Sequence, residues 1–66
     1  MEQSMKVIKY VGTLRFDLGL IQYDDGMYAV EYQNGPAAGV EVSEKINQFD
    51  TASYLFDLKL RELEGN

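Results

Sequence analysis

Cysteine and histidine are both missing from this chain of 66 residues. Neither a disulfide nor a cysteine–histidine zinc site can stabilise it, and two of the most reactive side chains of enzymes are absent. The serines, Ser4, Ser43 and Ser53, lie outside any G-x-S-x-G sequence, and the glycines are scattered singly, so no phosphate-binding loop is present. We therefore expect a protein that is not an enzyme and that holds no cofactor and no metal.

Long apolar runs and a signal-peptide pattern are also missing, so we expect no membrane association. Basic residues are few: 6 Lys and Arg stand against 11 Asp and Glu, a net charge of −5. This balance disfavours direct nucleic-acid binding through bulk charge. Hydrophobic residues make up 45% of the chain, too many for a disordered protein. We expect one domain over residues 1–66, with residues 1–4 as a flexible N-terminal tail.

The first predicted strand covers residues 6–15, which are rich in the strand formers Val, Ile, Tyr and Thr. Simple alternation places Val7 and Val11 on one side of this strand and Ile8 and Tyr10 on the other. Both sides carry apolar residues, so the pattern leaves open which side is buried.

A β-hairpin is predicted where residues 18–23 and 27–33 flank Asp24-Asp25-Gly26. A two-residue turn would place Tyr23 opposite Tyr28, whereas a three-residue loop would place Ile21 opposite Ala29. We favour the three-residue loop, because it keeps the Glu31 charge off the apolar side. The apolar side then carries Leu18, Leu20, Tyr28, Val30 and Tyr32, and the other side carries Ile21, Tyr23, Ala29 and Glu31.

A short fourth strand is predicted over residues 37–42, followed by a polar loop from which Ile46 reaches the core. A helix is predicted over residues 51–64, with Asp50 as its N-cap, an apolar stripe, and Gly65 as its stop. The stripe consists of Ala52, Leu55, Phe56, Leu60 and Leu63. The fold class is therefore α+β: an antiparallel sheet of three to four strands with one C-terminal helix packed on one face, in the order β-β-β-β-α.

Charge is distributed unevenly along the chain. Residues 6–15 carry basic but no acidic side chains, whereas residues 17–44 carry six acidic and no basic ones, namely Asp17, Asp24, Asp25, Glu31, Glu41 and Glu44. The acidic stretch could attract a basic protein partner, but ordinary solubilising surface charge is the favoured interpretation, because six charges over 28 residues is modest. Two other functions stay open: a structural homodimer that pairs strand edges or sheet faces, and a nucleic-acid-binding module that uses Lys6, Lys9 and Arg15.

Several short motifs, in order, resemble one family. They are Met5-Lys6-Val7-Ile8-Lys9-Tyr10 with Thr13, the turn Tyr23-Asp24-Asp25-Gly26, the pair Val30-Glu31, the turn Asn34-Gly35, and Phe49-Asp50-Thr51 before a helix with Leu55, Phe56 and Leu60. In this order they resemble the small phage anti-CRISPR proteins that inhibit the type I-F surveillance complex. The resemblance covers most of the chain, from Met5 to about Leu60, although the family continues through a further helical segment.

The resemblance implies a function and a set of contact residues. The family fold is an antiparallel sheet backed by helices, and its members bind the repeating backbone subunits of a CRISPR surveillance complex and prevent target DNA recognition. The residues of this chain that match the family's contact surface are Tyr10, Tyr23 and Glu31. By the same resemblance, the chain is a viral inhibitor that acts in the cytoplasm of a bacterial host.

Overall fold

A computed structural model describes residues 4–65 of the chain. Residues 1–3 of the tail expected over 1–4 therefore lie outside the described residues. Ser4 is described, and its carbonyl accepts a hydrogen bond from the backbone N–H of Asp24 at 3.1 Å. This bond joins the start of the chain to the turn of the predicted hairpin.

Four strands and one helix make up the described chain: β1 Met5–Gly12, β2 Asp17–Tyr23, β3 Tyr28–Gln33, β4 Glu41–Val42 and α1 Phe49–Leu63. The strands form one antiparallel sheet in the order β1-β2-β3-β4. The helix packs against β2 and β3 on one side of this sheet. The predicted α+β class and element order are thus confirmed.

The β2–β3 hairpin has the three-residue loop. Ile21 lies opposite Ala29, and the Tyr23 N–H donates to the Met27 carbonyl at 2.8 Å. Gly26 has φ 88°, a left-handed conformation that glycine adopts without steric cost. The Asp25 carboxylate accepts the Met27 N–H at 2.9 Å and so closes the turn. The predicted three-residue loop is therefore confirmed.

β1 contains a β-bulge at Ile8. Val7 pairs with Ile21 and Lys9 pairs with Leu20, so consecutive residues of β2 face residues two apart in β1. The extra residue reverses the alternation on either side of it. The expectation that Val7 and Val11 share a side is therefore wrong: Val11 packs against the core under the helix, whereas Val7 lies on the same side as Tyr10.

The core lies between the sheet and α1. Its buried members come from the β1–β2 connection, the central strands and the helix, and they are Phe16, Leu18, Leu20, Val30, Ala52 and Phe56. Removing these side chains from water supplies the main stabilisation of so small a domain. Leu60 and Leu63 extend the stripe as expected, but Leu55 is 38% exposed at the margin of the helix face.

The helix begins two residues before its predicted start. Gln48 is the N-cap, without a side-chain cap, and Asp50 lies within the first turn, so the expected Asp50 cap is wrong. The Phe49 ring packs edge-on against Tyr28, with 5.6 Å between ring centroids, and this tertiary contact draws residue 49 into the helix. Gly65 follows the helix with φ 85°, as expected for its stop.

β4 is shorter than the strand expected over residues 37–42. The chain turns at Gly35, where the Ala38 N–H donates to its carbonyl at 3.2 Å, and regular pairing begins only at Glu41. Beyond β4 the pairing continues irregularly: the backbones of Ile46 and Tyr28 exchange two hydrogen bonds of 2.8 Å. Ile46 packs against the core, as the sequence predicted.

Candidate protein-binding face

The side of the sheet opposite α1 is here called the open face. Residues paired directly across strands share a side, so the register assigns its members. They are Met5, Val7, Tyr10 and Gly12 of β1; Asp17, Gly19, Ile21 and Tyr23 of β2; Ala29, Glu31 and Gln33 of β3; and Val42 of β4. All three predicted contact residues, Tyr10, Tyr23 and Glu31, therefore lie on one side of the sheet.

Tyr10 and Glu31 are brought together across a glycine. Gly19 pairs with Tyr10 on one side and with Glu31 on the other, so the three residues form one row across three strands. Strands lie about 4.8 Å apart, which places the Tyr10 and Glu31 backbones about 10 Å from each other. A Cβ at Gly19 would lie 3.7 Å from Cγ of Glu31, so the glutamate side chain extends over the glycine.

Asp17 holds the Tyr10 ring. The Tyr10 hydroxyl donates a hydrogen bond to Oδ1 of Asp17 at 2.5 Å. The hydrogen bond to Asp17 stabilises the protonated phenol and raises the pKa of Tyr10 above its ordinary value, with smaller contributions from desolvation and the carboxylate charge. The ring lies over Gly12, where a Cβ would collide with the phenol. Two glycines of the sheet thus make room for the side chains of Tyr10 and Glu31.

A groove of about 250 Å³ lies on this part of the open face, and we call it the Tyr10 groove. Val7 and Val40, each more than half exposed, contribute apolar surface to its lining, together with Tyr10. Asp17 and Glu31 supply carboxylates, and none of the lysines or arginines in residues 4–65 lines it. The groove therefore combines apolar surface with negative charge.

Tyr23 lies at the other end of the open face. Gly19 and Tyr23 are four positions apart along β2, a distance of about 13 Å. The ammonium group of Lys45 lies 4.7 Å from the Tyr23 ring centroid and forms a 3.2 Å ion pair with Asp25. Tyr23 therefore belongs to a separate group of side chains and does not contact the Tyr10 groove directly.

Two of the basic side chains near β1 make contacts with the helix. The Lys9 ammonium donates to Oγ of Ser53 at 2.9 Å and lies 5.6 Å from the Phe56 ring centroid. The Arg15 guanidinium donates to the Leu63 carbonyl at 3.4 Å. These groups thus make intramolecular contacts on the side of the sheet away from the Tyr10 groove.

Sequence reasoning did not single out Asp17 and Val40 as site residues. Asp17 was visible only as one member of the acidic stretch, and its position opposite Gly12 depends on where β2 begins. The better local signal was the glycines: a glycine inside a strand often marks a place where another group approaches closely. Gly12 and Gly19 both meet that description here.

Within residues 4–65, no three side chains of the metal-binding types come together in a metal-holding group. Among the helices described, none has the length and apolar character required to cross a bilayer.

Comparisons with known proteins give no relative on which to base a function. No family model matches the chain, and neither a curated protein nor a solved structure matches it.

Proposed function

We propose that this chain is a non-enzymatic, phage-encoded inhibitor that binds a CRISPR surveillance complex through the open face and blocks target DNA recognition. The proposal rests on the sequence resemblance described above. Its principal structural support is that Tyr10, Tyr23 and Glu31 all lie on the side of the sheet that α1 leaves uncovered. The site of action would be the cytoplasm of the bacterial host.

The chemistry of the open face suits a protein partner. Tyrosine rings bury a large area at little entropic cost, and their hydroxyl groups can stay hydrogen-bonded. The carboxylates of Asp17 and Glu31 would attract a basic surface, such as the protein channel that holds a guide RNA. Inhibition would then follow from occupying that surface, without any chemical step.

Binding to purified type I surveillance complexes tests this proposal. We expect the parent chain to bind at least one complex and to prevent its association with target DNA, measured by native gel shift. Tyr10→Ala, Tyr23→Ala and Glu31→Arg should each weaken binding at least tenfold. Tyr54→Ala is the matched control, because Tyr54 lies on α1 and is 62% exposed, close to the 63% of Tyr10.

The outcomes test separately the proposed class of inhibitor and the open face as its contact surface. Failure to bind complexes of every type I subtype would exclude the proposed class of inhibitor. Binding that all three open-face variants leave unchanged would retain the class and reject the open face as its contact surface.

A structural homodimer is the second candidate, favoured by the aliphatic side chains of the open face. Met5, Val7 and Val42 of this face, and Val40 in the lining of the Tyr10 groove, are all at least half exposed, and a second copy could cover them. Light scattering at micromolar concentration tests this candidate, and a monomeric mass would count against it.

A further inference from the structure

We propose that the Tyr10 groove receives an arginine side chain of the partner protein, and that Asp17 is a binding residue of this groove beside Glu31. The inference rests on the proposed function for its choice of face, and it names the chemistry that this face recognises. It also adds Asp17, which the resemblance does not assign.

The charges of the Tyr10 groove favour a cationic side chain as its occupant. Asp17 and Glu31 lie on neighbouring strands, and neither has an ion-pair partner within 4.0 Å among residues 4–65. The two ion pairs found there, Lys45–Asp25 and Lys59–Glu62, do not involve the groove. The carboxylates of the groove are therefore available to a cation from outside the chain.

The strand register of β2 and β3 favours arginine over lysine. Asp17 pairs with Gln33 and Gly19 pairs with Glu31, so the two acidic residues are diagonal neighbours on one side of the sheet. Diagonal neighbours of this kind lie about 7–8 Å apart, with their Cβ atoms somewhat closer. A guanidinium group directs donors from several nitrogens and can contact two separated carboxylates, whereas an ammonium group is a compact charge.

The remaining lining residues suit the rest of an arginine side chain. Val7 and Val40 offer apolar surface to its methylene groups, and the Tyr10 ring offers an aromatic surface to the guanidinium plane. The Tyr10–Asp17 hydrogen bond holds that ring over Gly12 before any partner binds, which reduces the entropy lost on binding.

Titration of the ¹⁵N-labelled chain with acetyl-arginine-methylamide tests the inference without any CRISPR component. Acetyl-lysine-methylamide and neutral acetyl-citrulline-methylamide serve as comparison ligands, and amide chemical shifts report the site. We expect arginine to shift the amides of Gly12, Asp17, Gly19 and Glu31 in a saturable manner at millimolar concentrations. Lysine should bind several-fold more weakly, and citrulline should cause no saturable shift.

Variants test whether arginine binds in the Tyr10 groove or to any acidic surface of the chain. Asp17→Asn and Glu31→Gln should each weaken arginine binding at least threefold, and Gly12→Ala should weaken it by displacing the Tyr10 ring. Glu44→Gln, which removes an exposed carboxylate outside the groove, should leave it unchanged. Equal shifts at the acidic turn Asp24–Asp25, or equal binding by parent, Asp17→Asn and Glu31→Gln, would overturn the inference.

The arginine titration and the surveillance-complex binding assay together distinguish this inference from the proposed function. Saturable arginine binding in the groove by a chain that binds no surveillance complex would retain the inference and reject the function. Binding to a complex without arginine recognition by the groove would do the reverse.

Discussion

The two sides of the sheet differ in what covers them. On the helix side, Leu18, Leu20 and Val30 are buried beneath α1 and form the core. On the open face, Met5, Val7 and Tyr10 remain more than half exposed, whereas Ile21 and Ala29 at its centre are buried. The helix-covered core and the exposed contact residues of the open face thus lie on opposite sides of one layer, so substitutions at the exposed positions should change binding without unfolding the domain.

The largest expected effect is on the helix side. Phe56→Ala should cost about 3–5 kcal/mol of unfolding free energy, because it leaves a cavity between α1 and the sheet. A domain of this size has roughly 3–10 kcal/mol in total, so the variant should be largely unfolded near 37 °C. Urea denaturation followed by circular dichroism measures this, with Tyr54→Ala expected within about 0.5 kcal/mol of the parent. A stable Phe56→Ala protein would contradict the assignment of the core.

The next largest effect is expected within the open face, at its one large buried side chain. Ile21 lies on this face but is only 1% exposed, whereas Val7, its cross-strand partner, is 59% exposed. We expect Ile21→Ala to cost about 2–5 kcal/mol and Val7→Ala less than about 1 kcal/mol, measured by the same urea titration. Equal costs would show that the face is either uniformly covered or uniformly open.

A smaller effect is expected at the hairpin turn that joins the two central strands. Gly26 has φ 88°, so Gly26→Ala should cost about 1–2 kcal/mol through left-handed backbone strain. Gly39→Ala is the matched control, because Gly39 lacks the positive φ and a Cβ there meets nothing within 4 Å. Thermal denaturation compares the two, and equal melting temperatures would argue against the three-residue loop.

The smallest expected effect is on the stability of the fold at acidic pH. The Met27 N–H, with additional help from Lys45, lowers the pKa of Asp25. Because the pKa of Asp25 is lower in the folded state than in the unfolded chain, its carboxylate stabilises the fold at pH values above the ordinary carboxyl pKa. This stabilisation is lost as the pH falls through the folded-state pKa of Asp25. Asp25→Asn should therefore flatten the loss of stability between about pH 5 and pH 2, measured by melting temperature against pH. An unchanged profile would show that the contact contributes nothing measurable.

Local chemistry explains which parts of the fold could be predicted. The hairpin register followed from an Asp-Asp-Gly turn and from the cost of burying the Glu31 charge, both of which are visible in sequence. The bulge at Ile8 could not be predicted, because no glycine, proline or unusual residue marks it. The helix start depended on the Phe49–Tyr28 contact, which is tertiary and outweighs the capping preference of Asp50.

The candidate site could be predicted only in part for the same reason. Tyr23 and Glu31 share a side because of the hairpin register, which the sequence favours over its one alternative. Tyr10 joins them beside Val7 only because the bulge reverses the alternation of β1. Asp17 reaches the Tyr10 groove because it pairs with Gly12. Which residues pair between β1 and β2 is a property of the assembled sheet, so the sequence did not identify Asp17 as a site residue.

The bulge also bears on how the length of this chain can change. Removing Ile8 would leave Val7 opposite Ile21 and Lys9 opposite Leu20, so each remaining residue of β1 would keep its partner. We expect the deletion to preserve the fold, with cross-strand nuclear Overhauser contacts between Val7 and Ile21 retained. Homologous chains could thus gain or lose one residue here without turning the strand over, which makes Ile8 a natural position for an insertion or deletion inside a regular element.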